Sequence, residues 1–120
     1  MIVLDASAVL AYVQGERGSD RVEEALPTAV LGAANWSEVL QKVRARGGDP
    51  AIVRALLLSY GMRIEPVTPS DAEQAAALWQ PSSGLALGDR LCLALARRLG
   101  VTALTADQAW GESETVIQIR

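Results

Sequence analysis

The stretch Met1-Ile2-Val3-Leu4-Asp5-Ala6-Ser7-Ala8-Val9-Leu10 decides the fold. An apolar run stops at one carboxylate, and small and apolar residues with helical spacing follow at once. Ile2 to Leu4 therefore reads as a buried strand with Asp5 at its C-terminal end. Ser7 is expected to cap a helix that carries Val9, Leu10 and Val13. Ligands of open α/β sheets bind outside the C-terminal ends of the strands, so Asp5 is the first candidate functional residue.

The rest of the chain repeats the alternation. Asp20 to Leu26 reads as a short amphipathic helix ended by Pro27, and Thr28 to Leu31 as the second strand. Asn35 is expected to cap a helix that reaches Arg46 and stops at Gly47-Gly48. Pro50 opens the next helix, with Ile52, Val53, Leu56 and Leu57 as its apolar face. Ile64 to Val67 is the expected third strand, and Thr68 to Trp79 an Ala-rich helix. A helix over Asp89 to Leu99, capped by Gly100, leads to strands over Val101 to Thr105 and Thr115 to Ile119. Between these two strands a short helical turn is expected from Asp107 to Trp110. Strands alternating with helices predict a parallel sheet covered on both faces. With no repeat or linker, residues 1–120 are expected to form one domain.

Composition narrows the function. A net charge of −3 argues against a generic polyanion binder, although cations bound by clustered carboxylates would invert the local field. The absence of histidine excludes Ser-His-Asp and Cys-His nucleophile systems and imidazole zinc sites. Cys92 is the single cysteine, flanked by leucines, and reads as packing in a protein of the reducing cytoplasm. No apolar run reaches the roughly 18 residues that a membrane span requires. The first residues read as a strand of the fold rather than a signal peptide. The chain is 50% hydrophobic, which is rich for a small monomer and points to a homodimer.

Three more acids can meet Asp5. Asp107 follows the fourth strand and Asp89 begins a helix, and strand C-termini share an edge with helix N-termini. The segment Leu91 to Ala96 is apolar nearly all round, with Arg90, Arg97 and Arg98 as the only polar stripe, and Asp89 lies away from that stripe. A carboxylate on a buried face is costly unless paired or coordinating, and the helix dipole offsets only about 0.3–1 kcal/mol. Glu38 lies nearly opposite the apolar face of Trp36, Val39, Leu40 and Val43, with Lys42 four residues on. An exposed ion pair and a cleft-facing ligand both suit that position. Asp107 suits either a helix cap or a ligand. All-oxygen ligands favour Mg²⁺ or Mn²⁺ over zinc. Without histidine, a metal-activated water is the natural nucleophile for phosphodiester hydrolysis.

Taken in order, these residues resemble a known family. The segments Val3-Leu4-Asp5-Ala6-Ser7-Ala8-Val9-Leu10 and Asn35-Trp36-Ser37-Glu38-Val39 are similar to motifs of PIN-domain ribonucleases, specifically VapC-type toxins of bacterial or archaeal toxin–antitoxin pairs. The same holds for Leu87-Gly88-Asp89-Arg90-Leu91-Cys92-Leu93-Ala94-Leu95-Ala96 and for Leu104-Thr105-Ala106-Asp107 with Trp110. The resemblance implies a PIN-like three-layer α/β/α fold with a five-stranded parallel sheet. It implies an endoribonuclease dependent on Mg²⁺ or Mn²⁺, a homodimer, and inhibition by a cognate antitoxin.

The catalytic, metal-holding acids carry over onto Asp5, Glu38, Asp89 and Asp107, and the supporting hydroxyls onto Ser7 and Thr105. Asp5 would be the central ligand, approached by Asp89 and Asp107, with Glu38 holding a second ion or acting as a base. Arg17, Arg21, Lys42, Arg44, Arg46 and Arg90 are candidates for RNA phosphate contacts. With no phenylalanine and 4% aromatic residues, selection by RNA shape is favoured over base stacking. Trp36 and Trp79 are assigned to the core or a dimer contact, and Trp110 to the rim of the site.

Two other functions stay open at this level. In an Asp-based phosphotransfer or phosphatase domain Asp5 would be the nucleophile. Ser7 then stands where haloacid-dehalogenase-type enzymes need a second Asp. Lys42, the only lysine, lies on an early helix and not after the last strand as in receiver-like domains. A non-catalytic PIN-like binding module would use the apolar surface alone, and the complete acid set weighs against it.

Overall fold

The computed structural model describes residues 1–120. Five parallel strands form one sheet in the order β3-β2-β1-β4-β5. They are β1 (Ile2–Leu4), β2 (Ala29–Gly32), β3 (Arg63–Glu65), β4 (Ala103–Thr105) and β5 (Val116–Gln118). The helices are α1 (Ala6–Val13), α2 (Ser19–Ala25), α3 (Ala33–Ala45), α4 (Pro50–Ser59), α5 (Pro69–Ala77) and α6 (Leu87–Leu99). Short 3₁₀ turns cover Leu26–Thr28 and Gln108–Trp110.

Alternation along the strands divides the core into two layers. Val3, Val30 and Ala103 pack with Cys92, Leu95 and Ala96 of α6. Leu4, Leu31 and Leu104 face the larger cluster with Val9, Leu10, Val22, Val39, Val53 and Leu57 from α1 to α4. A three-layer α/β/α arrangement follows, as expected. Leu4 is in register with Leu31 on one side and Leu104 on the other. The strands on either side of β1 therefore end level, and the chain order reverses between β1 and β4. That switch point opens a crevice at the strand C-termini, and Asp5 and Thr105 border it.

Several element boundaries differ from the sequence reading. The cap of α1 is Asp5, not Ser7: Asp5 has extended backbone and its carboxylate accepts from the Ala8 N–H. Asn35 is not a cap either, since Gly32 occupies that position and α3 is already helical from Ala33. Helix α6 begins at Leu87, which moves Asp89 into its first turn, where it bonds back to the Ala86 N–H. Strand β3 stops at Glu65, because Pro66 has no N–H to continue the ladder. On α4 only Val53 and Leu57 are buried, while Ile52 is 67% exposed and Leu56 also faces out. That helix is apolar nearly all round, so its wheel could not choose a face. Trp79 is 59% exposed and does not belong to the core. No helix is long and apolar enough to cross a membrane.

Candidate active site

Asp5 leaves the end of β1 only 3% exposed, inside a cage of hydroxyls. Its Oδ1 accepts the Ala8 N–H at 2.9 Å, and its Oδ2 accepts the Thr105 hydroxyl at 2.7 Å. The Ser7 hydroxyl lies 2.8 Å from each carboxylate oxygen. The same hydroxyls hold the chain after β4: Ser7 Oγ accepts the Ala106 N–H and Thr105 Oγ1 accepts the Asp107 N–H, both at 3.0 Å. One local network thus ties the two strands that flank the switch point. Burial pushes the Asp5 carboxyl up to about 6, against the pull of these donors, and the charge of Asp89 adds to the rise.

Asp89 projects from the first turn of α6, and its Oδ2 accepts the Ala86 N–H at 2.9 Å. Burial raises its pKa, and the neighbouring Asp107 contributes in the same direction. Lys42 and the Trp110 indole act the other way. The indole nitrogen is nonetheless buried without a partner in hydrogen-bonding geometry, so it faces Asp89 without a formed bond. Asp107 takes the cap role that its sequence position allowed. Its carboxylate caps the following turn through the Ala109 N–H at 2.9 Å, and its charge reaches Asp89.

Glu38 stands on α3 and accepts a 3.0 Å hydrogen bond from the Asn35 amide. Lys42 makes no ion pair with it. The buried Cys92 thiol registers the convergence of three acids. Burial raises its pKa well above the ordinary value, and Asp5, Asp89 and Glu38 each add to the shift. It donates weakly to the Leu4 carbonyl and acts as packing beneath the site.

Asp5, Glu38, Asp89 and Asp107 therefore share one edge of the sheet, but no three of them form a closed ligand set. Each of three acids is tied within its own segment: Asp89 to Ala86, Asp107 to Ala109 and Glu38 to Asn35. The donor set still suits a hard divalent cation. It is all oxygen, and it includes a buried carboxyl raised to about 6 that meets another acid and no cationic side chain.

The arginines are placed less uniformly. Arg17, Arg44 and Arg46 are exposed. Arg90 turns toward α5, where it donates to the Ala75 carbonyl at 2.9 Å, and its Nε is buried without a partner. Arg21 is committed to the Gln118 carbonyl at 2.8 Å.

Two residues that shape the site have no role assigned from the sequence. Gln118 is buried, and its amide donates at 2.9 Å to the carbonyls of both Asp107 and Gly111, closing the loop that carries Asp107 and Trp110. Its only signal was one amide in the apolar run Val116-Ile117-Gln118-Ile119. Gly88 passes directly beside Glu38, and a Cβ there would collide with the carboxylate.

A parallel sheet with an acidic edge at its switch point is the layout of the PIN-domain class. Residues 2–112 match the PIN domain, and the chain belongs to that family, among its VapC-type toxins. Ribonuclease VapC42 of Mycobacterium tuberculosis is 33% identical over 111 residues, covering 82% of this chain and 85% of the relative. A VapC ribonuclease of Mycobacterium bovis matches to the same extent. Among solved structures, a toxin–antitoxin complex from Klebsiella pneumoniae superposes with a TM-score of 0.82 at 20% identity, covering 100% of this chain and 98% of the other. VapC20 of M. tuberculosis, described as a sarcin–ricin loop cleaving toxin, superposes at 0.74 with 21% identity over 95% of this chain and 98% of its own. At such identities the likeness to these two structures is one of fold.

Proposed function

We propose that this chain, as a single PIN domain over residues 1–120, is the toxin of a type II toxin–antitoxin pair and an endoribonuclease dependent on Mg²⁺ or Mn²⁺. The observation that carries the reading is Asp5. It is a nearly fully buried carboxyl, raised to about 6, with a second acid beside it and no cationic partner. Such a group is costly to a metal-free fold and becomes useful once a cation is bound. Asp5, Asp89 and Asp107 would hold the ion, and Glu38 would hold a second ion or accept a proton from the attacking water. The ion supplies a Lewis acid, which lowers the pKa of water and offsets charge on the phosphodiester.

The chain's other residues prepare that site. Ser7 and Thr105 fix both Asp5 oxygens, and Gln118 fixes the Asp107 loop. Lys42, Arg44, Arg46 and Arg17, all exposed, would meet RNA phosphates at the rim. The exposed Ile52, Leu56 and Trp79 would be covered in a homodimer or by the cognate antitoxin. The ribonuclease relatives and the Klebsiella toxin–antitoxin complex support RNA and an antitoxin as partners. Action in the cytoplasm accords with the lone buried Cys92.

The test is cleavage of structured RNAs by protein free of antitoxin, with Mg²⁺ or Mn²⁺, alongside Asp5→Asn and Asp89→Asn prepared in parallel. The wild type is expected to cut and both variants to fail. Equal cleavage by all three would mark a contaminating nuclease and sink the assignment.

A further inference from the structure

Asn35 is the third residue of α3 and only 2% exposed, and its amide bridges two helices. Nδ2 donates to Glu38 Oε1 at 3.0 Å and to the carbonyl of Gly88, in the first turn of α6, at 3.2 Å. Two acceptors decide which end of the amide lies there, since a flipped amide would set oxygen against oxygen. Oδ1 is left buried without a partner. An unpaired buried acceptor costs stability, so a purely structural role would be filled as well by an apolar side chain of similar size.

Gly88 meets the same carboxylate oxygen. A Cβ on it would overlap Glu38 Oε1 and lie 3.0 Å from Cδ. Gly88 is not among the residues with positive φ, so space and not backbone conformation calls for glycine here. Glu38 is thus held at Oε1 by Asn35, and a side chain at that point of α6 would make its carboxylate swing away. Its Oε2 accepts no hydrogen bond from the chain and is the oxygen left for a ligand.

We propose that Asn35 and Gly88 form a clasp between α3 and α6 that sets the Glu38 carboxylate for metal binding, with Asn35 as a positioning residue. This rests on the reading of Glu38 as part of the metal-holding acid set. Groups that orient a ligand typically contribute about 10–100-fold in metal affinity or activity. The clasp acts only through Glu38, so its effects vanish when Glu38 is already altered.

Mn²⁺ titration calorimetry and thermal melting on Asn35→Ala, Gly88→Ala, Glu38→Gln and Asp5→Asn test the clasp. Asn35→Ala is expected to weaken Mn²⁺ binding about tenfold or more, and to add nothing in the Glu38→Gln background. Gly88→Ala is expected to displace the Glu38 carboxylate and lower Mn²⁺ affinity, with no further loss in the Glu38→Gln background. Unchanged affinity in Asn35→Ala, or a loss that persists undiminished in Glu38→Gln, overturns the clasp. If Asn35→Ala does not fold, Gly88→Ala decides, and an unchanged Mn²⁺ affinity there overturns it. Asp5→Asn separates the two levels of the account. If it binds Mn²⁺ like the wild type, the metal site itself falls, and the clasp with it. If it loses Mn²⁺ while Glu38→Gln does not, only the clasp falls.

Discussion

Replacing Asp5 with asparagine should stabilise the metal-free protein at neutral pH while abolishing cleavage. The Asp5 carboxyl rises from 3.8 to about 6 on folding, chiefly through burial. The fold therefore prefers its neutral form. The associated stability is fully present below pH 3.8 and is lost as pH rises through about 6. A shift of that size corresponds to about 3 kcal/mol above pH 7 and to about 1 kcal/mol at pH 4.5. Asparagine keeps the Ala8 cap and removes the charge, but its amide must accept new geometry at the Ser7 and Thr105 hydroxyls, a loss of about 1 kcal/mol. The net gain is about 2 kcal/mol at pH 7.5, or roughly 6–10 °C in Tm for a domain of this size. At pH 4.5 gain and loss cancel. Thermal melts in EDTA, followed by circular dichroism at both pH values, measure this. An Asp5→Asn protein that melts below the wild type by the same margin at both pH values would refute the reasoning and reduce Asp5 to a helix cap.

Other consequences follow from the same network. Mn²⁺ at about 100 times its Kd should stabilise the wild type by about 2.7 kcal/mol, reversed by EDTA and absent in Asp5→Asn, as read by melting. Mn²⁺ affinity measured by calorimetry should fall as pH drops below about 6, because the proton competes for Asp5; a flat profile from pH 7.5 to 5 would contradict that competition. Thr105→Val removes the 2.7 Å donor to Asp5 and the acceptor for Asp107. It should cost about 1–3 kcal/mol, with a smaller loss at pH 4.5 than at pH 7.5, where Asp5 is charged. Gln118→Leu strips the donor from the Asp107 and Gly111 carbonyls. A drop in Tm together with slower RNA cleavage is expected, and full activity would show that the Asp107 loop holds itself.

The layered fold was legible because its signals are local and repeated. Apolar runs such as Ile2 to Leu4 end at turn or cap residues, and Pro50 and Gly100 mark helix ends, the latter with φ +67. Caps were less legible, since Asp5, Ser7 and Asn35 are all competent caps by type and only backbone conformation chooses among them. The apolar wheel of α6 singled out Asp89, which the structure places half-buried in the first turn rather than on the buried face of Cys92, Leu95 and Ala96. Glu38 was ambiguous on its helix wheel, because a residue facing a cleft and one facing solvent both point away from the core. What decides its setting is Asn35 and Gly88, and the Gly88 contact lies 50 residues away in sequence. Gln118 was hidden differently, since its carbonyl partners are 11 and 7 residues away but lie on an irregular loop whose path no sequence pattern gives.

The most direct test is an anomalous difference map from crystals grown with Mn²⁺. The account predicts an ion bonded to the Asp5 carboxylate and to at least one of Asp89 and Asp107. An Asp5 site empty at saturating Mn²⁺, in protein that still cleaves RNA, would contradict it.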